Sequence, residues 1–263
     1  MSLPALVLAS GYGSFQGNGT AIPKVVELLG NRPMIARIVE TVLEAGFDPC
    51  IVVVNPLFSE KVKEAISLAA GAEGKVRFVV QPERRGSADA VERALPILRE
   101  LGVTDFIVVY GDMPFWKCET MHALASGHTR HGAVLSMVSV AREADPVCFN
   151  WYGRIVRDNA GQVSRVVEWK DATSEELALP TVNPSIWGLN VRWFSENVRR
   201  VVPCERGDGR PPERYLPPLI QMAHDENQPV FEFPLTDHIQ ALGVNTLEEL
   251  ERARSVLARV LAS

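Results

Sequence analysis

Residues 5 to 112 alternate short β-branched runs with segments of helical periodicity, and no other feature of the chain restricts its fold as much. The order is ALVLAS, RPMIARIVETVLEAG, CIVVV, SEKVKEAISLAA, VRFVV, SADAVERALPILREL and DFIVVYGD. Strands separated by helices pair through crossovers, so the pattern predicts a Rossmann-like α/β fold: a mixed, mainly parallel sheet with flanking helices. In the first helical run Ile35, Ile38, Val39, Val42 and Leu43 recur at helical spacing, with Pro33 suited to the first turn and Gly46 to the stop. Pro96 predicts a kink or a division in the third helical run. After about residue 130 the pattern changes. AVLSMVSV reads as a central strand, and GRIVRDNAGQVSRVVEWKD as two strands around a turn at Asn159 to Gly161, where a smaller lobe begins. Residues 203–215, PCERGDGRPPERY, have the composition of a mobile surface loop, and the last twenty residues read as one amphipathic helix.

Composition removes several classes of function. The 263 residues are 46% hydrophobic and 22% charged, enough for a large core, and the formal net charge of -5 argues against a general nucleic-acid binder, which would carry a basic face. Any anion site must therefore be made locally. Cys50, Cys118, Cys148 and Cys204 lie far apart without CxxC spacing, so neither a zinc cluster nor a disulfide framework is expected. No apolar run approaches the ~20 residues of a membrane span and no signal peptide is evident. These features predict a reduced, cytoplasmic protein without a membrane partner. His128 and His131 have ligand-like spacing but read as solvated polar positions.

The first strand runs into LASGYGSFQGNGTAIPK, residues 8 to 24, with glycines at 11, 13, 17 and 19 and a lysine held by a proline. A loop leaving the first strand of a parallel sheet lies at the carboxyl edge, where such folds bind ligands, and glycines there let backbone N–H groups approach an anion. A dinucleotide fingerprint fails because Gln16 stands where it needs glycine, and a GxxxxGK[ST] phosphate loop fails because Pro23 precedes Lys24. Asp112 follows the strand FIVVY with only Gly111 between, so its carboxylate should emerge at the same edge. An acidic turn before Pro114 is the plainer alternative.

QPERRGSADA (81–90), VVYGDMPF (108–115), GRIVRDNAGQVSRVVEWKDAT (153–173) and ALGVNTLEELERA (241–253) follow that loop in a definite order. Together they resemble the sugar-1-phosphate nucleotidyltransferases, most closely the uridylyltransferase domain of bacterial N-acetylglucosamine-1-phosphate uridylyltransferase, over nearly the whole chain. The resemblance implies the nucleotide-diphospho-sugar transferase fold as one domain. Residues 1–130 would form a nucleotide-binding lobe and 131–240 a sugar-binding lobe, and 241–263 would carry a metal-ligand asparagine and the last helix. It implies UTP and a sugar 1-phosphate as substrates and Mg²⁺ as cofactor. In such a reaction an already anionic phosphate oxygen attacks the α-phosphorus, so charge neutralisation and alignment matter more than proton transfer, and no histidine is needed.

By the same resemblance Lys24 and Asp112 are the catalytic residues, Lys24 on the triphosphate and Asp112 with Asn245 on the metal. Thr246 and Glu249 already form a capping-box pattern for the last helix, which leaves Asn245 free. Ala9, Ser10, Gly11, Gly13, Ser14, Lys24, Gln81, Gly86 and Ser87 would surround the nucleotide, the Gln81 amide matching the paired edge of uracil. Tyr110, Gly111, Gly153, Glu168, Lys170 and Asn183 would bind the sugar side; Glu168 and Lys170 read equally as a weak surface pair.

The chain departs from the family in three places. Ser14 is followed by Phe15 where the family has an arginine, the loop is two residues longer, and no arginine occurs between Met1 and Lys24. Arg84 and Arg85 are the nearest substitutes. Asn183 is followed by Pro184 and Ser185 instead of threonine and glycine. The hexapeptide repeats of a left-handed β-helix are absent, so no acetyltransferase domain is expected. Three functions remain open: a Mg²⁺-dependent uridylyltransferase, a nucleotide-sugar-binding homologue impaired in transfer, and a transferase using dTTP or CTP. A dinucleotide-dependent oxidoreductase is a distant fourth. An oligomer is compatible with the sequence but not indicated by it.

Overall fold

The computed structural model describes residues 3–17, 20–205 and 211–262, excepting the side chains of 14–21 and 261–262. Its large sheet has ten strands. In chain order these are β1 (Ala5–Ala9), β2 (Cys50–Val54), β3 (Val76–Val80), β4 (Asp105–Tyr110), β5 (Leu135–Ala141), β6 (Gly153–Arg157), β7 (Val163–Val167), β8 (Thr181–Asn183), β9 (Trp187–Asn190) and β10 (Val230–Leu235). Strands β3, β2, β1 and β4 lie side by side and parallel, as the alternating pattern predicts. Antiparallel β9 joins β4 to β5, whose other partners are β8, antiparallel, and β10, parallel. The hairpin β6–β7 extends the sheet beyond β8, with Gly161 at φ 81° in its turn. AVLSMVSV is thus central, and the change of pattern near residue 130 marks the change from parallel to mixed pairing.

Side chains of β1 alternate between two cores because successive residues of a strand face opposite sides. Val7 packs with Ile35, Ile38 and Val42 of the helix Met34–Glu44, whereas Leu6 and Leu8 pack with Val91, Ala94 and Leu98 of the helix Gly86–Glu100. Both faces are covered, which is why β1 and β2 are apolar throughout instead of alternating.

Three expectations are corrected. The helix Gly86–Glu100 runs through Pro96 unbroken. Pro96 is on the solvent side, where helices curve convexly and tolerate a missing N–H, while Val91, Ala94, Leu95 and Leu98 fix the buried side. His128 is not solvated. Its ring is buried, with Nδ1 2.6 Å from Ser136 Oγ and Nε2 3.2 Å from Asp105 Oδ1, a satisfied core histidine; His131 is exposed and stacks on Phe231. Finally, the stretch 203–215 is not a loose loop where it is described, residues 206–210 lying outside the described residues. Arg214 N–H donates to the Arg85 carbonyl at 2.8 Å and its own carbonyl accepts from Ala88 N–H at 3.0 Å, so the segment is docked on the first turn of the helix Gly86–Glu100.

Candidate active site

Parallel pairing brings the ends of β1, β2, β3 and β4 to one edge, and each ends in polar groups: Ser10–Gly11, Asn55, Gln81 and Asp112. The Asn55 amide donates to the carbonyls of Ser10 (3.3 Å) and Gly11 (3.1 Å), fixing the start of the glycine-rich segment. That segment is not an open loop. Ser14–Gly17 and Thr20–Pro23 pair as a two-stranded antiparallel arm. Its return puts Lys24 beside Gly13, whose carbonyl accepts from Lys24 N–H at 3.0 Å. A Cβ on Gly13 would stand 3.3 Å from Lys24 Cδ. The backbones of Ser14 and Phe15 belong to the arm; their side chains lie outside the described part.

A cavity of about 310 Å³ follows this edge, with Ala9, Ser10, Gly11, Gly13, Lys24, Gln81, Gly86 and Ser87 among its lining. Every expected nucleotide residue except Ser14 therefore borders one space. Gln81 is buried and its orientation is determined: Nε2 donates to the Gly86 carbonyl (3.0 Å) and to Asp89 Oδ2 (2.9 Å), both acceptors only, while Oε1 accepts from Ser10 Oγ at 2.5 Å. Asp89, 1% exposed, is held in turn by Arg93 and Arg214. Gly86 has φ 86°, and a Cβ there would fall 2.2 Å from the Arg214 carbonyl oxygen, so glycine is required on two grounds.

A second cavity of about 310 Å³ opens toward the other lobe and is bordered by Gly153, Glu168, Asn183 and Asn245. The two cavities share Tyr110, Asp112, Glu168 and Ser185. At their junction the Lys24 ammonium bonds the Asp112 carboxylate and, at 2.6 Å, Asn245 Oδ1. Asn245 is free to do so because Glu249 accepts from the N–H groups of Asn245 and Thr246 while Thr246 Oγ1 accepts from Glu249 N–H. The Asn183 amide donates to the Val138 carbonyl at 2.9 Å. Burial pushes the Tyr110 phenol up, the charges of Asp112 and Glu168 adding to it, so it stays a neutral wall.

Two expected sugar-side residues stand apart. Gly111 is buried and lines neither cavity; its N–H donates to the Leu8 carbonyl, and a Cβ there would come within 2.7 Å of Ile35 Cδ1. Lys170 is exposed at the rim, its Nζ 6.0 Å from the centre of the Tyr215 ring. Of the substitute arginines, Arg84 lines the first cavity and pairs with Glu213 (2.9 Å), whereas Arg85 is turned to solvent and pairs with Glu83. Among the described residues no three His, Cys, Asp or Glu side chains gather to hold a metal by themselves, and no helix is long and apolar enough to cross a membrane.

Residues 5–168 match the model of the MobA-like NTP transferase domain. The chain belongs to that family. It is 33% identical to the bifunctional protein GlmU of Geotalea uraniireducens (strain Rf4) over 97% of its length and 52% of that protein's. It is 34% identical to the protein of the same name from Anaeromyxobacter sp. (strain K) over 99% and 50%. The chain thus spans about half the length of the curated relatives it matches. Among solved structures it is similar to a Bacillus anthracis protein described as a glucose-1-phosphate thymidylyltransferase, in complex with sucrose (TM-score 0.73, 16% identity, 97% and 95% coverage). Another is CMP:2-keto-3-deoxy-manno-octonic acid synthetase complexed with CTP (TM-score 0.66, 17% identity, 98% and 99% coverage).

Within this NTP transferase domain the sequence left several site residues unmarked. Asn55 ends β2 as Asp112 follows β4, so the same edge argument reaches it. Asp89, Glu213 and Tyr215 carry no local signal, because their roles depend on contacts across the fold; Ser185, already marked as standing where the family has glycine, holds a φ of 61°.

Proposed function

We propose that the protein transfers a uridylyl group from UTP to a sugar 1-phosphate, N-acetylglucosamine 1-phosphate being the leading acceptor, with release of pyrophosphate. The observation that carries this reading is the junction of the two cavities at Asp112, beside which the Lys24 ammonium sits between the Asp112 and Asn245 oxygens. One cavity suits the nucleotide and the other the acceptor, so phosphates entering from both sides meet at Asp112. The acceptor phosphate oxygen forms the new bond to the α-phosphorus while the α–β bridging P–O bond breaks and its electron pair leaves with pyrophosphate. The donor set fits Mg²⁺: one carboxylate and one amide oxygen, both hard, converge on a point already occupied by a cationic group, and Mg²⁺ is commonly held by one or two carboxylates plus substrate phosphates. When bound it would neutralise charge between phosphates, held by Asp112 and Asn245. Lys24 and Arg84 supply the chain's own positive charge to the triphosphate, and the Gln81 amide oxygen, with one lone pair left, meets a donor on the base.

Phe15 in place of the family arginine favours a second reading, a nucleotide-sugar-binding homologue that transfers poorly. The experiment is pyrophosphate release from UTP, dTTP and CTP with Mg²⁺ and a panel of sugar 1-phosphates. Release confined to UTP with N-acetylglucosamine 1-phosphate supports the proposal. Preference for dTTP or CTP reassigns the nucleotide, in line with the thymidylyltransferase and the CTP-bound synthetase to which the fold is similar. Silence throughout, with measurable UTP binding, establishes the binder.

A further inference from the structure

Trp151 and Trp169 are large aromatic rings left in water, 56% and 40% exposed, with ring centroids 4.6 Å apart and planes at 85°. The other three tryptophans, Trp116, Trp187 and Trp193, are buried. The exposed pair is not scattered surface. Trp151 borders the second cavity next to Tyr152 and Gly153, and Trp169 directly follows Glu168, which borders both cavities. Edge-to-face packing holds each ring against the other and limits the entropy that a ligand would have to remove. A rigid aromatic surface beside a carboxylate and amides is the chemistry that receives a pyranose: C–H groups lie on the ring, while hydroxyls reach the polar groups.

We infer that Trp151, braced by Trp169, is a stacking platform for the sugar ring of the acceptor, and that it selects acceptors by the apolar face they present. The inference rests on the second cavity being the acceptor side of the proposed reaction. Trp151 binds the ring; Trp169 is a positioning residue acting through Trp151. Neither ring lines the first cavity.

Because only this pair is accessible, iodide quenching of tryptophan emission reads it directly. UDP-N-acetylglucosamine should protect the emission and UDP alone should not, and the protection should vanish in Trp151→Phe, which removes the indole signal but keeps a ring. In turnover, Trp151→Ala should raise KM for N-acetylglucosamine 1-phosphate roughly tenfold, leave KM for UTP in place, and be largely rescued by Trp151→Phe. Equal protection by UDP, no protection by the nucleotide sugar, or an unchanged acceptor KM in Trp151→Ala would overturn the platform. If the wild type turns over no substrate pair, the proposed reaction fails, and the quenching experiment still decides the platform.

Discussion

Gly86→Ala tests the packing of the first cavity's wall, independently of any activity. Gly86 opens the helix Gly86–Glu100 at φ 86°, a conformation that costs an L-residue about 1–2 kcal/mol. The new Cβ would stand 2.2 Å from the Arg214 carbonyl oxygen, and 2.8 and 2.9 Å from the carbonyl carbon and nitrogen of the same residue. These are backbone atoms, fixed by hydrogen bonds to Arg85 and Ala88 and by the Arg214 pairs with Asp89 and Glu92, so the clash cannot be relieved by turning a side chain. Overpacking of this kind adds about 1–3 kcal/mol, for a sum of about 2–5 kcal/mol. At about 2.1 cal/mol/K per residue the unfolding entropy of 263 residues is about 0.55 kcal/mol/K, which converts that sum to a Tm lowered by roughly 4–9 °C. Gly11→Ala is the internal control: it lies in the same cavity, but a Cβ there has nothing within 4 Å, so its Tm should match the wild type. Thermal unfolding followed by circular dichroism measures both. A Gly86→Ala protein melting within about 1 °C of wild type, or a Gly11→Ala protein falling as far, would show that Gly86 is not packed against the Arg214 backbone.

Asp112→Asn keeps the size of the side chain and removes its charge, so Mg²⁺-dependent pyrophosphate release should drop at least about 100-fold with the circular-dichroism spectrum unchanged; retained turnover excludes Asp112 as a metal ligand. Asp89→Asn replaces one of the two acceptors that orient Gln81 Nε2 by a group that can also donate, which weakens the preference of the amide for one orientation. The kcat/KM preference for UTP over CTP should narrow about tenfold, and an unaltered ratio would show that Asp89 does not orient Gln81. Acid stability tests the Asp105–His128 pair. Burial pushes the Asp105 carboxyl up, but hydrogen bonds from His128, Asn190 and Thr104 outweigh it and the net shift is downward. A depressed folded value stabilises the fold above the unfolded value of about 3.9 and loses that contribution as pH falls through the folded one. Asp105→Asn should therefore flatten the decline of stability below about pH 4, read by urea unfolding at several pH values; an equal slope rules out this contribution.

What the sequence made legible was whatever is encoded over a few residues. The strand and helix runs up to Asp112 are periodic enough to predict the parallel half, and chain direction alone then places Ser10, Gln81 and Asp112 at one edge, where the structure has them. The capping box at Thr246 and Glu249 is equally local, and with it the freedom of Asn245 to face Lys24, 221 residues away. Pro96 misled because a local rule about a missing N–H was outweighed by tertiary burial of the opposite helix face. His128 misled because spacing along a helix does not say which side of it is covered. Residues 211–216 misled more instructively. Their composition is that of a surface turn, yet Glu213 is 2% exposed, and Arg214 reaches Asp89, which orients Gln81. That chain of contacts joins residues 81, 89 and 214, and no window of sequence contains both ends of it. The orientation of the Gln81 amide thus depends in part on a segment that looks dispensable. This is the physical reason that Asp89→Asn, a substitution at no recognisable motif position, is expected to change which nucleotide is chosen.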